Sequence, residues 1–226
     1  MTHKQLFTLH HTENYVHLAL PAPRLVLSSA ALNGGWVRAN HIINMRVPEN
    51  FTGERTGFQP PEVTLADYSR SLGLSGGVVG LMTAASLASL RQVSLHTPPA
   101  TVTVLVTTGL ANAKQAGEAA EWRTIDRTAP EASTINLILL TNLRLTRAAM
   151  VEAVMMVTEA KTVALAQLGV TSPTTGQMAT GTGTDAVAVV NGWAAPVVRY
   201  CGKHVLLGEM IARATIQAIV DSLRRR

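Results

Sequence analysis

The sequence predicts a single α+β domain, a mixed and largely antiparallel sheet covered by helices, of α+β or three-layer type. Three observations carry that expectation. Alternating apolar and polar residues with turn signals fill the first fifty positions, two β-branched apolar runs lie mid-chain, and two runs with helical periodicity follow them. The chain has 226 residues, and no acidic, basic or Pro-rich tract divides it, so residues 1–226 are read as one unit. With 47% hydrophobic and 15% charged residues it has the side chains for a sizeable core and too few charges for a disordered protein.

Taken in order, LFTLHHTENYVHLAL (Leu6 to Leu20) alternates around Glu13-Asn14 and reads as a strand hairpin. Arg24 to Ser29 and Trp36 to Val47 flank Asn33, Gly34 and Gly35, which predicts a second hairpin. Glu49 to Pro61, rich in Gly and Pro, reads as a surface loop. From Thr64 to Leu95 the pattern is helical, broken near Gly73 to Gly80, with Thr83 to Arg91 the strongest piece. Thr101 to Thr107 and Thr134 to Thr141 are β-branched and apolar and belong at the centre of the sheet, joined by an Ala-rich, charged connector holding Lys114 and Glu118. Thr146 opens the clearest helix as its N-cap, and Gly169 closes it. Asp185 to Val190 is then a strand, and Gly208 to Leu223 an amphipathic helix.

Several function classes recede on composition. The longest apolar runs fall short of the roughly 18 to 20 residues a membrane span requires, and MTHKQLFTLHHTENY does not read as a signal sequence, which points to the cytoplasm. Cys201 is the only cysteine, so no intramolecular disulfide forms and Cys-rich zinc sites are excluded. The net charge of +5 suggests nucleic acid, yet the basic residues are scattered along the chain, the one tight run is Arg224 to Arg226, and aromatics are 4%. No nucleic-acid partner is expected. Seven histidines, four of them at 3, 10, 11 and 17, show no close ligand spacing, so no metal and no other cofactor is expected.

The chemistry gathers around ATGTGTDAVAVV, Ala179 to Val190. Gly181 and Gly183 let backbone approach a ligand closely, and the amides through Thr182 and Thr184 form an anion-binding concavity or oxyanion hole facing Asp185. The same residues also suit a plain turn in which Asp185 is the cap. Ser28, Asn33, Asn44 and Asn112 supply further short polar groups near strand ends, where open α/β sheets place ligands. On the long helix Glu159 lies among apolar neighbours, and burial would poise it for proton transfer; Lys161 points about 200° away from it. His204 precedes the last helix, with Glu209 five residues on.

Taken together, SSAALNGG, NMRVP, TAASL, VTTGLANAKQAG, STINLILL, TEAKTVAL, ATGTGTDAVAVV and GKHVLLGEMI resemble the adenosylcobinamide amidohydrolase family of corrinoid salvage over about residues 25 to 215. TEAKTVAL followed by ATGTGTDAVAVV is the most specific part. The chain departs from the family's pattern at Ala111, where a serine is expected, and at Gln115, where an arginine is. The resemblance implies hydrolysis of the amide joining aminopropanol to the corrin ring, with the corrinoid as small-molecule substrate. An amide hydrolase needs an activated nucleophile, an oxyanion stabiliser and a proton for the leaving amine. Asp185 or Glu159 is the candidate base, and Lys161 or His204 the candidate for oxyanion charge or amine protonation. Asn33, Asn112 and the amides of Gly181 to Thr184 would hold the reacting amide, with a covalent route through Thr182, Thr184 or Ser28 as the alternative. Two other classes fit the same blocks: a corrinoid-binding protein without catalysis and an autoprocessed threonine hydrolase. A homo-oligomer is compatible with all of them.

Overall fold

A computed structural model describes residues 6–48, 59–120 and 134–224. His3, the loop expected at Glu49 as far as Phe58, and the terminal Arg225 and Arg226 lie outside the described residues. The strand that organises the rest is β2 (Tyr15–Ser28), fourteen residues long. β1 (Thr8–His11) pairs antiparallel with its first half, across the turn expected at Glu13-Asn14. β3 (Gly35–Arg46) runs antiparallel along both halves. The register shifts between Ala19 and Arg24, where Pro21 and Pro23 have no N–H to give to a ladder. In the turn between β2 and β3, Asn33 takes a φ of 55° and its Nδ2 donates to Val78 O at 2.7 Å.

The remaining elements are α1 (Pro61–Ser71), β4 (Val78–Thr83), β5 (Arg91–Thr97), β6 (Ala100–Thr108), β7 (Ala113–Lys114), β8 (Ile135–Thr141), β9 (Leu143–Leu145), α2 (Arg147–Gln167), β10 (Gly181–Thr182), β11 (Ala186–Val190), β12 (Ala194–Val198) and α3 (Leu206–Arg224). One eight-stranded sheet runs β4-β3-β2-β11-β8-β6-β5, with β1 beside β2. Only the β3–β4 and β11–β8 pairings in it are parallel, so the mixed, largely antiparallel α+β architecture is as expected. Thr146 caps α2 by accepting from Ala149 N–H at 3.2 Å, and Gly169, at φ 63°, takes the left-handed position just past its end.

One expectation fails. Thr83 to Arg91 is not helical: Thr83 ends β4, Leu87–Ser89 makes a single 3-10 turn, and Arg91 begins β5. Hydroxyls spaced along this stretch take the backbone bonds a helix would need. Thr83 Oγ1 accepts from Ala85 N–H at 3.0 Å, Ser86 Oγ accepts from Ala88 N–H at 3.3 Å, and Ser89 Oγ donates to Ser86 O at 2.6 Å. The stretch from Val78, read as a break in a helix, is a strand laid parallel to β3.

The sheet folds over itself. Side chains of β8 alternate, Leu137 and Leu139 packing with α2 and α3 while Ile138 and Leu140 pack with Val16, Leu18 and Ile42 from the first strands. α1 covers the outer face of β3 and β4 through Leu65, Ile43 and Met45. In a flat sheet β3 and β6 would stand four strands, roughly 19 Å, apart; here Asn44 Nδ2 of β3 donates to Thr107 Oγ1 of β6 at 2.9 Å. Asn136 on β8 completes the join, donating to Asn44 Oδ1 at 2.8 Å and to Met82 O at 2.9 Å. These groups are buried, and an unpaired buried polar group costs about 1–3 kcal/mol. Asn136→Ala, which strands two acceptors, should lower the free energy of unfolding by roughly 2–4 kcal/mol in urea titration without changing the denaturant slope.

Candidate active site

β11 lies parallel to β8 with Ala186 beside Asn136, so Asp185, one residue before β11, reaches the start of β8. Its Oδ1 accepts from Ile135 N–H at 3.1 Å and from the Thr182 hydroxyl. Its Oδ2 accepts from Thr182 N–H at 3.0 Å and from Lys161 Nζ. Four donors thus occupy the four acceptor positions of one carboxylate. Both side chains of the Lys161–Asp185 ion pair are 10% exposed. Among the described residues Asp185 is the hydrogen-bond partner of the Lys161 ammonium, which leaves two N–H for a substrate.

Gly181 is needed for this pair. A Cβ on Gly181 would stand on Asp185 Oδ2 and 2.6 Å from Lys161 Nζ, so the ion pair lies directly against bare backbone. β10 carries that backbone and pairs antiparallel with β7, Gly181 opposite Lys114 and Thr182 opposite Ala113. This brings Asn112 alongside: its backbone O accepts from Gly183 N–H at 3.3 Å, and its Nδ2 stands 3.4 Å from where a Gly183 Cβ would be. Both polar atoms of the Asn112 amide are buried without a partner. Thr134 adds a hydroxyl that donates to Thr184 O at 2.7 Å, and Ser29 Oγ, beside Ser28 at the end of β2, accepts from Val187 N–H at 3.1 Å.

Of the residues singled out in the sequence, Asp185, Lys161, Gly181, Thr182, Gly183, Thr184 and Asn112 come together here. Ser28 lies opposite Ala188, three residues into the same strand end, with its Oγ turned to Ala30 N–H at 3.4 Å; Asn44 belongs to the buried join below. Four others lie elsewhere. Glu159 is not buried: it sits on the outer side of α2, 43% exposed and paired with Lys203. His204 is exposed, and Glu209 pairs with Arg213 at 3.2 Å on the surface of α3. Asn33 is held in its turn by Val78. Thr134 and Asn136 were missed, although an asparagine inside the apolar run INLILL signals a paired buried amide.

Two further titratable groups are strongly perturbed. Cys201 is buried, its thiol pushed up to about 12 by burial and then by Glu152, which makes it inert. His17, between His41 at 3.0 Å and the stacked His10, is pushed down to about 4 by burial and then by those two neighbours. Among the described residues no group of three or more His, Cys, Asp or Glu is arranged to hold a metal, and no helix is long and apolar enough to cross a membrane.

The whole chain, residues 1–226, matches the adenosylcobinamide amidohydrolase family, CbiZ. The chain belongs to that family. It is accordingly an amidohydrolase. A Methanosarcina mazei protein named adenosylcobinamide amidohydrolase is 28% identical over 207 residues, 88% of this chain and 90% of that one. An uncharacterised Methanocaldococcus jannaschii protein is 44% identical over 94 residues, 41% of this chain and 36% of that protein's length. Among solved structures, a Burkholderia beta-aminopeptidase aligns with a TM-score of 0.45 at 10% identity, over 96% of this chain and 81% of that one. The PH0078 protein of Pyrococcus horikoshii aligns with a TM-score of 0.43 at 14% identity, over 93% of this chain and 77% of that one.

Glu118 ties the loops around β7 and β10 together. It accepts from Gln115 N–H at 3.0 Å, Thr175 Oγ1 at 2.8 Å and Ser172 Oγ at 3.1 Å. Desolvation pushes its pKa up, but those hydrogen bonds and the Lys114 charge outweigh it and hold the carboxyl below its ordinary value of 4.5. A carboxyl depressed in the folded state stabilises fully above its unfolded pKa, and that contribution is lost as pH falls through the folded one. The melting temperature of the parent should therefore exceed that of Glu118→Gln at pH near neutral, and the gap should narrow as pH falls below about 4.5.

Proposed function

We propose that the chain hydrolyses the amide joining aminopropanol to the corrin ring of adenosylcobinamide, giving adenosylcobyric acid and free aminopropanol, at the Lys161–Asp185 pair. Family membership supports the substrate. The observation that carries the site is a buried ammonium with two N–H unclaimed, beside an Asn112 amide that has neither donor nor acceptor satisfied. The scissile amide is trans, its C=O and N–H pointing opposite ways, so Asn112 would meet one end of it, Nδ2 donating to the carbonyl. As the carbonyl carbon becomes tetrahedral, charge grows on its oxygen, where the Lys161 N–H groups stabilise it. Asp185, with all four acceptor positions filled, acts as the anchor that orients Lys161 and the Thr182 backbone.

Two hydroxyls are near at hand: that of Thr182 donates to the Asp185 carboxylate, and that of Thr134 donates to Thr184 O at 2.7 Å. Attack through either leaves an ester on the chain, whereas attack by water leaves none, and the intact mass of a quenched single turnover separates the routes. No metal takes part in this reading, so exhaustive chelation should leave turnover largely intact.

The test is to incubate pure protein with adenosylcobinamide and follow adenosylcobyric acid and aminopropanol by chromatography and mass. Release of neither from demonstrably bound corrinoid would leave a binding protein in place of the enzyme. Asp185→Asn and Lys161→Met should each lower kcat/KM by about 10² to 10³, as for a lost oxyanion stabiliser, while the protein stays folded, and the double variant should cost little more than the worse single one, because the two act as a unit. Glu159→Gln should stay within about twofold of the parent, since a surface substitution away from the site changes little.

A further inference from the structure

One side of α2 is left bare. Arg147, Val151, Met155 and Glu159, at intervals of four, make a single ridge along the helix, which Val163 continues. Val151, Met155 and Val163 are 47%, 55% and 44% exposed, and the exposed Ala148, Thr158 and Ala166 beside them carry no charge. The opposite side, with Ala149, Met150, Ala153 and Val157, is buried in the core shared with α3 and β8. A helix apolar on every side is ordinarily covered on every side, and the described residues cover only one of these.

The ridge has a direction. Arg147, at its start, is exposed and makes no ion pair among the described residues; its guanidinium rests 5.4 Å over the exposed ring of Trp36. It belongs to the end of the molecule opposite Asp185, where Asn191 bonds Leu25 O at 2.9 Å and Leu145 N–H at 2.7 Å and so joins residues 23–38, 142–147 and 191–199. These segments hold five arginines and no Asp or Glu. Glu159, roughly 18 Å further along the helix, carries the opposite charge. It pairs with Lys203 on the surface, and both side chains stay open to solvent. Tyr200 and Leu206, three residues to either side of Lys203 in the chain, are exposed as well.

We propose that the outer side of α2 is a homodimer interface: a second copy lays the same ridge antiparallel against it about a two-fold axis, Val151 and Met155 of both copies meeting at the axis and Arg147 of each pairing with Glu159 of the other. The charge pattern selects this occupant. A two-fold contact sets residue i against j and j against i, so a ridge with a cation at one end, a carboxylate at the other and apolar side chains between is complementary to itself reversed. Antiparallel pairing also keeps the arginine-rich ends of the two copies apart, whereas a parallel one would set like charges together. An anionic membrane would leave Glu159 facing phosphate. Between two copies the apolar side chains form the dry centre of the contact and the Arg147–Glu159 pairs its polar rim.

Sedimentation velocity on the full chain through the micromolar range should show a species of twice the 24.0 kDa of one chain, dissociating on dilution. Met155→Glu should weaken association by about hundredfold or more, because it puts a charge at the desolvated centre. The residue is exposed, so circular dichroism and melting of this variant should match the parent at dilutions where both are monomeric. Arg147→Glu and Glu159→Arg should each weaken association by about tenfold or more, since like charges then face each other twice. Mixed in equal amounts, these two weakened chains should pair about as well as the parent does, because both contacts of the mixed dimer then join opposite charges. A chain that stays monomeric throughout, a dimer indifferent to Met155→Glu, or charge-reversed chains that fail to pair on mixing would overturn the proposal. So would a monomer that sediments with vesicles of phosphatidylcholine and phosphatidylglycerol and loses them on Met155→Glu, because that marks the face as a lipid-binding one.

Discussion

β2 belongs to two layers at once, and that constraint shapes the rest of the molecule. Its first half pairs with β1, its second half with β11, and between them Pro21 and Pro23 interrupt the ladder. A sheet that must turn there brings its two halves face to face, with Val16, Leu18 and Ile42 against Ile138 and Leu140. Apolar contact alone would let the halves slide; Asn44 and Asn136 fix their position, since each polar atom buried there must find its partner across the gap. The site sits over this join, where β8 and β11 begin and β6 ends.

A buried ion pair is a doubtful source of stability, because desolvating two charges costs about as much as their attraction returns. In the proposed reading the Lys161–Asp185 pair is explained by its part in the reaction instead. Asp185 is held by two backbone N–H groups and a hydroxyl as well as by Lys161, and Gly181 removes the side chain that would part them. The result is an ammonium whose direction is set before any substrate arrives, the kind of preorganised charge that stabilises a developing oxyanion. The unpaired Asn112 amide fits the same account, since a buried orphan amide is a cost in the folded chain that a bound amide would remove.

Legibility in the sequence followed the range of the interactions. Local signals were reliable: Thr146 caps α2, Gly169 ends it, and the Asn33 turn forms. The central strands were equally clear, because β6 and β8 are buried on both faces and so read as continuous apolar runs. Thr83 to Arg91 misled because its Ala and Leu content favours helix while the decisive hydroxyl-to-backbone bonds do not show in composition. At the site, Asp185 and its loop were legible from glycine spacing. Glu159 and Lys161 lie only two residues apart, and which of the two faces inward depends on how α2 packs. The Arg24–Trp193 and Arg147–Trp36 stacks were invisible, since each joins segments distant in the sequence.

The placing of the arginines also bears on how a cationic corrinoid, the proposed substrate, can approach a chain of net charge +5. The arginine-rich end begins roughly 17 Å along β11 from Asp185, about two screening lengths at physiological ionic strength, so its field is weak at the site. At the site itself the ammonium of Lys161 and the carboxylate of Asp185 offset each other, and the nearby polar groups of Asn112, Thr182 and Thr134 are uncharged. The positive excess is thus placed where it does not oppose binding of a cation, while the local charge that matters for the reaction stays neutral overall until an oxyanion forms. Under the proposed function, long-range attraction then contributes little to capture, which would rest on direct contact with the corrinoid.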